Sequence, residues 1–123
     1  MRGTFLVLAA LFCVVCAAHA GAVAGAAAAP EPKDSVVLDD YFAPHRLSLP
    51  RGGSVRWVWS ARNLHPHNVR LVDGPPGVSK KRYRSPTSVR QFDFERAFPK
   101  PGSYQFFCTL HPFTMRQTVT VRR

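Results

Sequence analysis

Short apolar runs separated by turns of proline and glycine fill the chain from residue 35 onward, and this pattern excludes a helical fold. The turns lie at residues 50–53, 73–77 and 99–102. Proline at this density removes backbone donors and interrupts any helix. Between the turns, apolar residues recur at every second position, which is the period of an extended strand. The sequence therefore predicts an all-β domain.

The candidate strands are short and regularly spaced. They lie at residues 36–38, 46–49, 55–59, 67–72, 89–94, 104–108 and 115–121. Turn signals every 8 to 12 residues or so are typical of an antiparallel sandwich or barrel. We predict a β-sandwich or barrel of about seven or eight strands, occupying residues 35–123.

Alternation along the strands predicts which side chains face the core. In residues 55–59 the odd positions are apolar, so we expect Trp57 and Trp59 to be buried and Arg56 to face outward. The same rule places three nitrogen- or sulfur-bearing side chains on the inward face at strand ends: His67, Cys108 and Met115.

The first 34 residues do not resemble the rest. Arg2, an apolar run and Ala18-His19-Ala20 have the form of a signal peptide over residues 1–20. An uncleaved membrane anchor is the alternative, because the Ala-rich sequence reaches Ala29 and a spanning helix needs about 20 residues. Residues 21–34 are rich in Ala, Gly and Pro and are predicted to be a linker.

The number and position of the cysteines limit the functions that are possible. The chain has three cysteines, and Cys13 and Cys16 lie in the predicted signal peptide, so the mature chain keeps only Cys108. A lone cysteine in an exported protein is a buried thiol, an intermolecular link, or a metal or catalytic ligand. His111 follows Cys108 after two residues, a spacing that lets one tight loop present thiolate and imidazole to one ion.

A site of two histidines, one cysteine and a weak axial methionine is typical of type 1 copper. We predict that one copper ion binds His67, Cys108, His111 and Met115. Two alternatives stay open at this stage. His65 shares the parity of His67, and Gln117 shares the face of Met115 and carries an oxygen that suits an axial position.

A family resemblance rests on three segments: His67-Asn68-Val69, the pattern Tyr104-x-Phe106-x-Cys108-x-x-His111, and Met115. Over residues 36–121 the chain resembles the cupredoxins, the type 1 blue copper family that includes plastocyanin, pseudoazurin and amicyanin. The loop 108–113 is most similar to that of amicyanin. The resemblance implies a Greek-key sandwich and a one-electron carrier, with Asn68 bracing the copper loop through Thr109. Three residues separate His111 from Met115, a spacing that departs from the family loops.

The expected partner is a redox protein that docks near His111, Pro112 and Phe113. The net charge is +10, which favours an acidic partner or an anionic membrane surface; export argues against nucleic acid. We expect a monomer in the periplasm, at the cell surface or secreted. A copper carrier or scavenger without a redox partner is the alternative function. An enzyme is not expected, because five histidines are too few for a multicopper oxidase.

Overall fold

A computed structural model describes residues 21–22 and 24–123. The predicted signal peptide, residues 1–20, lies outside the described residues. The strands are β1 (Lys33–Leu38), β2 (Tyr41–Ala43), β3 (Arg46–Leu49), β4 (Ser54–Trp59), β5 (Arg70–Asp73), β6 (Asp93–Ala97), β7 (Gly102–Phe107) and β8 (Arg116–Val121), with a 3-10 helix at Lys80–Tyr83. In this part of the chain, no helix has the length and apolar character needed to cross a membrane.

The strands form two four-stranded sheets, which confirms the predicted all-β sandwich. The first sheet has the order β2-β1-β4-β6 and the second has the order β3-β8-β7-β5. Two pairs, β1 with β4 and β3 with β8, are parallel, and the other four described pairs are antiparallel. The chain changes sheet between β2 and β3, so each parallel pair joins strands that are distant in sequence. Alternation alone does not distinguish these pairs from antiparallel ones.

The core lies between the sheets and is rich in aromatic rings. Trp57 is fully buried and Trp59 is 3% exposed, as the alternation predicted. The ring centroid of Trp57 lies 5.0 Å from that of Phe106 on the opposite sheet. Tyr83, from the 3-10 helix, packs 5.0 Å from Phe98. Aromatic pairs at these distances add to the stabilisation from apolar burial.

Most predicted strand limits shift in the structure: β1 begins at Lys33, two residues before the predicted domain, and two other strands begin three and four residues late. The strand predicted at 67–72 begins only at Arg70, and His67 instead forms an isolated bridge with Ser88. Residues 67–69 are all buried, so the side chains do not alternate between core and solvent there. The strand predicted at 89–94 begins at Asp93, because Gln91 adopts a positive φ of 52° that interrupts the extended backbone.

A buried polar contact joins the two sheets. The Gln117 side chain on β8 accepts a hydrogen bond at Oε1 from Trp57 Nε1 on β4, at 2.8 Å. Its Nε2 donates to Ser35 Oγ on β1 at 2.7 Å and to the Pro44 carbonyl at 2.6 Å. Gln117 is only 2% exposed. Its amide therefore pairs with two buried polar groups, Trp57 Nε1 and Ser35 Oγ, and with the Pro44 carbonyl.

We expect Gln117→Ala to lower the free energy of unfolding of the metal-free protein by about 1–3 kcal/mol for each buried group left unpaired. Urea denaturation measures this loss. Gln105→Ala is the matched control, because Gln105 on β7 bonds only to Ser103 and Thr118 near the surface. The expected decrease in the free energy of unfolding for Gln105→Ala is below about 1 kcal/mol. Equal losses in the two variants would contradict the assigned role of Gln117.

Candidate metal centre

His67 is held by its backbone at the end of the loop that follows β4. Its N–H donates to the Ser88 carbonyl at 2.9 Å, and Ser88 N–H donates back at 3.0 Å. Trp59 Nε1 donates to the His67 carbonyl at 3.2 Å. These three bonds fix the backbone, and the imidazole is fully buried. The sequence prediction that His67 faces inward is confirmed.

Cys108 and Met115 stand at the two ends of the loop that connects β7 to β8. Cys108 N–H donates to the Met115 carbonyl at 3.1 Å, which continues the β7–β8 ladder into the loop. Within the loop, His111 N–H donates to the Cys108 carbonyl at 3.2 Å, and Met115 N–H donates to the His111 carbonyl at 3.0 Å. This loop geometry holds the His111 ring close to the Cys108 thiol.

Three side chains converge. The ligand atoms of His67, Cys108 and His111 all lie within 4.8 Å of one another. Cys108 Sγ and His111 Nδ1 are 3.8 Å apart. Donor atoms at about 2.0–2.3 Å from one ion stand roughly 3.5–4 Å apart in a trigonal arrangement. The three donors therefore fit one transition-metal ion with little movement.

An unpaired nitrogen supports the same conclusion. His67 Nδ1 is buried, and no group in the described residues forms a hydrogen bond to it. Leaving such an atom unpaired costs about 1–3 kcal/mol. A metal ion removes that cost, since a neutral imidazole nitrogen is a common ligand for transition metals.

Carboxylates of the β1–β2 turn approach both imidazoles. Asp39 Oδ1 accepts a hydrogen bond from His67 Nε2 at 2.8 Å. Asp40 Oδ1 lies 3.7 Å from His111 Nε2. The His67 hydrogen bond, reinforced by the backbone N–H of Leu64, lowers the pKa of Asp39 to about 2. No sequence motif indicates Asp39, because 28 residues separate it from His67.

Asn68 connects the segment that carries His67 to the loop that carries Cys108. Its Nδ2 donates to Thr109 Oγ1 at 2.8 Å and to Thr87 Oγ1 at 3.1 Å. Its Oδ1 accepts from Thr109 N–H at 3.0 Å, and its backbone N–H lies 3.4 Å from Cys108 Sγ. The Thr109 contact is the one that the family resemblance implied.

The alternative residues differ in their surroundings. The Gln117 amide bonds within the core, where Oε1 accepts from Trp57 and Nε2 donates to Ser35 and to the Pro44 carbonyl. Met115 is fully buried beside Cys108, and its role as a fourth ligand stays a prediction. The His65 side chain is 62% exposed and does not join the group of converging donors.

The end of the sandwich that carries the site exposes apolar side chains. Leu64 is 75% exposed, Leu110 is 50% exposed and Phe113 is 88% exposed. The His111 side chain is 26% exposed at the same end. From the sequence, only Pro112 and Phe113 were predicted to lie beside the exposed edge of His111. Leu110 lies within the same loop. No sequence pattern predicted the exposure of Leu64, which lies two residues before Pro66.

Comparison with known proteins gives consistent matches. Residues 37–122 match a family described as copper binding proteins, plastocyanin/azurin family. Amicyanin from Paracoccus versutus is 34% identical over 99 residues, covering 77% of this chain and 70% of the relative. Its crystal structure superposes with a TM-score of 0.63 at 26% identity, over 75% of this chain and 82% of that chain. A Cu-containing nitrite reductase from Thermus scotoductus gives a TM-score of 0.66 at 25% identity, over 83% of this chain but only 25% of that chain.

We expect Asn68→Ala to lower the free energy of unfolding of the metal-free protein by about 1–3 kcal/mol, because the variant loses the contacts of one buried amide. Chemical denaturation measures the effect. Thr87→Val is the matched control, since it removes only the hydrogen bond between Asn68 and Thr87. A loss in Thr87→Val as large as in Asn68→Ala would show that the Thr109 contact does not brace the loop.

Proposed function

Because the chain belongs to the plastocyanin/azurin family of copper-binding proteins, we propose that it is an exported one-electron carrier with a single type 1 copper ion. In this proposal His67, Cys108 and His111 are the strong ligands, and Met115 is the weak axial ligand. The observation that carries the proposal is the convergence of three donor atoms within 4.8 Å, in residues that match the ligand pattern of a type 1 site.

The protein framework suits electron transfer. Copper at this site supplies a one-electron couple whose potential depends on the axial ligand and on hydrogen bonds to the thiolate. Backbone hydrogen bonds hold His67 and the loop 108–115, so the donors keep their positions when the charge at the site changes. Burial of Cys108 excludes water from the thiolate. The exposed edge of His111 is the route by which electrons enter and leave.

The proposed docking surface surrounds that edge. It comprises Leu64, Leu110, Pro112 and Phe113, around His111, and its apolar side chains can pack against a redox partner. Weak electron-transfer encounters bury less than about 1,200 Å² in total, so a small surface is sufficient. The net charge of +10 favours an acidic partner through electrostatic steering.

Export is part of the proposal. Residues 1–20 have the pattern of a signal peptide. The Ala-, Gly- and Pro-rich residues that follow form a linker up to β1, where the copper domain begins at Lys33. We propose a monomeric protein in the periplasm, at the cell surface or in the medium. Attachment to the membrane surface through an uncleaved N-terminal segment is compatible with the same copper site.

The first test adds Cu(II) to the purified copper-free protein. We expect one equivalent to bind and to produce an intense visible band from thiolate-to-copper charge transfer, which Cys108→Ala abolishes. His65→Ala is the control and is expected to keep the band, since His65 lies outside the converging donors. A band that survives Cys108→Ala would overturn the site assignment. A blue protein that does not cycle reversibly by one electron in voltammetry would favour the copper carrier instead.

The axial position has a separate test. We expect Met115→Gln to lower the reduction potential, because a harder oxygen donor stabilises Cu(II) relative to Cu(I). The expected shift is on the order of 60 mV or more, the value for a tenfold change in relative affinity at one electron. Gln117→Ala should leave the potential nearly unchanged while it destabilises the fold. The reverse result would assign the axial role to Gln117.

A further inference from the structure

Both carboxylate oxygens of Asp39 accept hydrogen bonds from the segment that carries His67. Oδ1 accepts from the His67 imidazole Nε2 at 2.8 Å and from the His65 backbone N–H at 3.2 Å. Oδ2 accepts from the Leu64 backbone N–H at 2.8 Å. One side chain therefore binds two consecutive backbone donors of the loop and the ring that follows them.

The position of Asp39 is set by the first sheet. The β1–β2 turn is tight, with Leu38 paired to Tyr41 and with Asp40 in the left-handed region at a φ of 71°. The loop after β4 is bonded to the same strand, since Ser60 N–H and Asn63 Nδ2 both donate to the Val37 carbonyl, at 3.0 and 2.9 Å. Asp39 thus holds the His67 ring from the first sheet, while Cys108 extends from the second.

This contact selects one tautomer of the imidazole. A carboxylate at 2.8 Å requires a proton on His67 Nε2. In the neutral ring the proton is then absent from Nδ1, and that nitrogen keeps its lone pair. Nδ1 is also the buried atom that lacks a partner. The Asp39 contact therefore leaves the ligating nitrogen free, turned away from solvent and fixed in orientation.

We propose that Asp39 is a positioning residue of the metal centre, which orients His67, selects its Nδ1-ligating tautomer and strengthens binding of Cu(II) more than of Cu(I). The proposal rests on the proposed function of the site. A carboxylate that accepts the second N–H of a ligating imidazole makes the ring a stronger donor. Stronger donation favours the more highly charged ion, so Asp39 lowers the reduction potential.

The decisive experiment compares three variants with the wild type. Asp39→Asn removes the carboxylate charge and keeps the side-chain size. Asp40→Asn removes a charge that lies near His111 but is not hydrogen-bonded to it. Asp34→Asn removes a charge from β1, the strand that leads into the turn, where the Asp34 side chain pairs with the exposed Arg56. Affinities for Zn(II), Cu(II) and Cu(I) are measured by competition with chelators, and the potential is measured by voltammetry.

We expect Asp39→Asn to weaken Zn(II) and Cu(II) binding by about 10- to 100-fold, the usual effect of losing such a partner. Cu(I) binding should weaken less. A tenfold difference between the two copper affinities raises the potential by about 59 mV. Asp40→Asn should have a smaller effect and Asp34→Asn essentially none. Equal shifts in Asp39→Asn and Asp40→Asn would show a general field effect and overturn the proposal, as would unchanged Zn(II) affinity in Asp39→Asn.

A measurement on the copper-free protein is independent of copper chemistry. Nitrogen-15 NMR, at a pH where the His67 ring is neutral, should show a protonated, slowly exchanging Nε2 and an unprotonated Nδ1. In Asp39→Ala the Nε2 proton should exchange much faster. A proton on Nδ1 in the wild type would overturn the proposal. If the wild type fails to give the blue band, the proposed function fails; if it is blue and Asp39→Asn changes neither affinity nor potential, only the role of Asp39 fails.

Discussion

The hydrogen-bonded register of β5, β7 and β8 is the constraint on which the site depends. Arg70 pairs with Phe107, and Phe107 pairs with Arg116, so three strands of the second sheet end at the same level. The residues just beyond these ends include Cys108 and Met115, and His67 lies three positions before β5. A shift of one residue in either pairing would turn Cys108 away from the core, because side chains alternate between the two faces. The donors converge only in this register.

Hydrogen bonds from side chains then connect segments that the ladders leave separate. Asn68 bonds to Thr109 and Thr87, and Asp39 bonds to the loop before His67. Gln117 joins the two sheets through its bonds to Trp57 and Ser35. Each of these amides or carboxylates bonds to two or more partners, and a buried polar group with all partners in place favours one arrangement over its alternatives. The donors are therefore held by contacts from both sheets before any ion binds.

Sequence reasoning was successful where a local pattern carries the information. Period-two alternation predicted the burial of Trp57 and the inward orientation of His67 and Cys108. The short spacing from Cys108 to His111 predicted that one loop carries both side chains. It could not identify Asp39, because that contact depends on how the β1–β2 turn meets a loop from another part of the chain. The hydrogen bonds of Gln117 could not be predicted for the same reason. Whether an inward-facing amide bonds to the core or to an ion depends on partners such as Trp57, Ser35 and Pro44, which no local pattern relates to it.

Local charge and net charge act on different properties of this protein. The chain carries +10, yet two of its seven acidic residues, Asp39 and Asp40, stand beside the imidazoles of the site. Charges on the exposed surface are screened over about 8–10 Å in salt solution, so the basic surface mainly affects how partners approach. A carboxylate in direct contact with a buried imidazole is screened much less. The basic character of the surface can therefore vary with the partner while Asp39 continues to control the donor strength of His67.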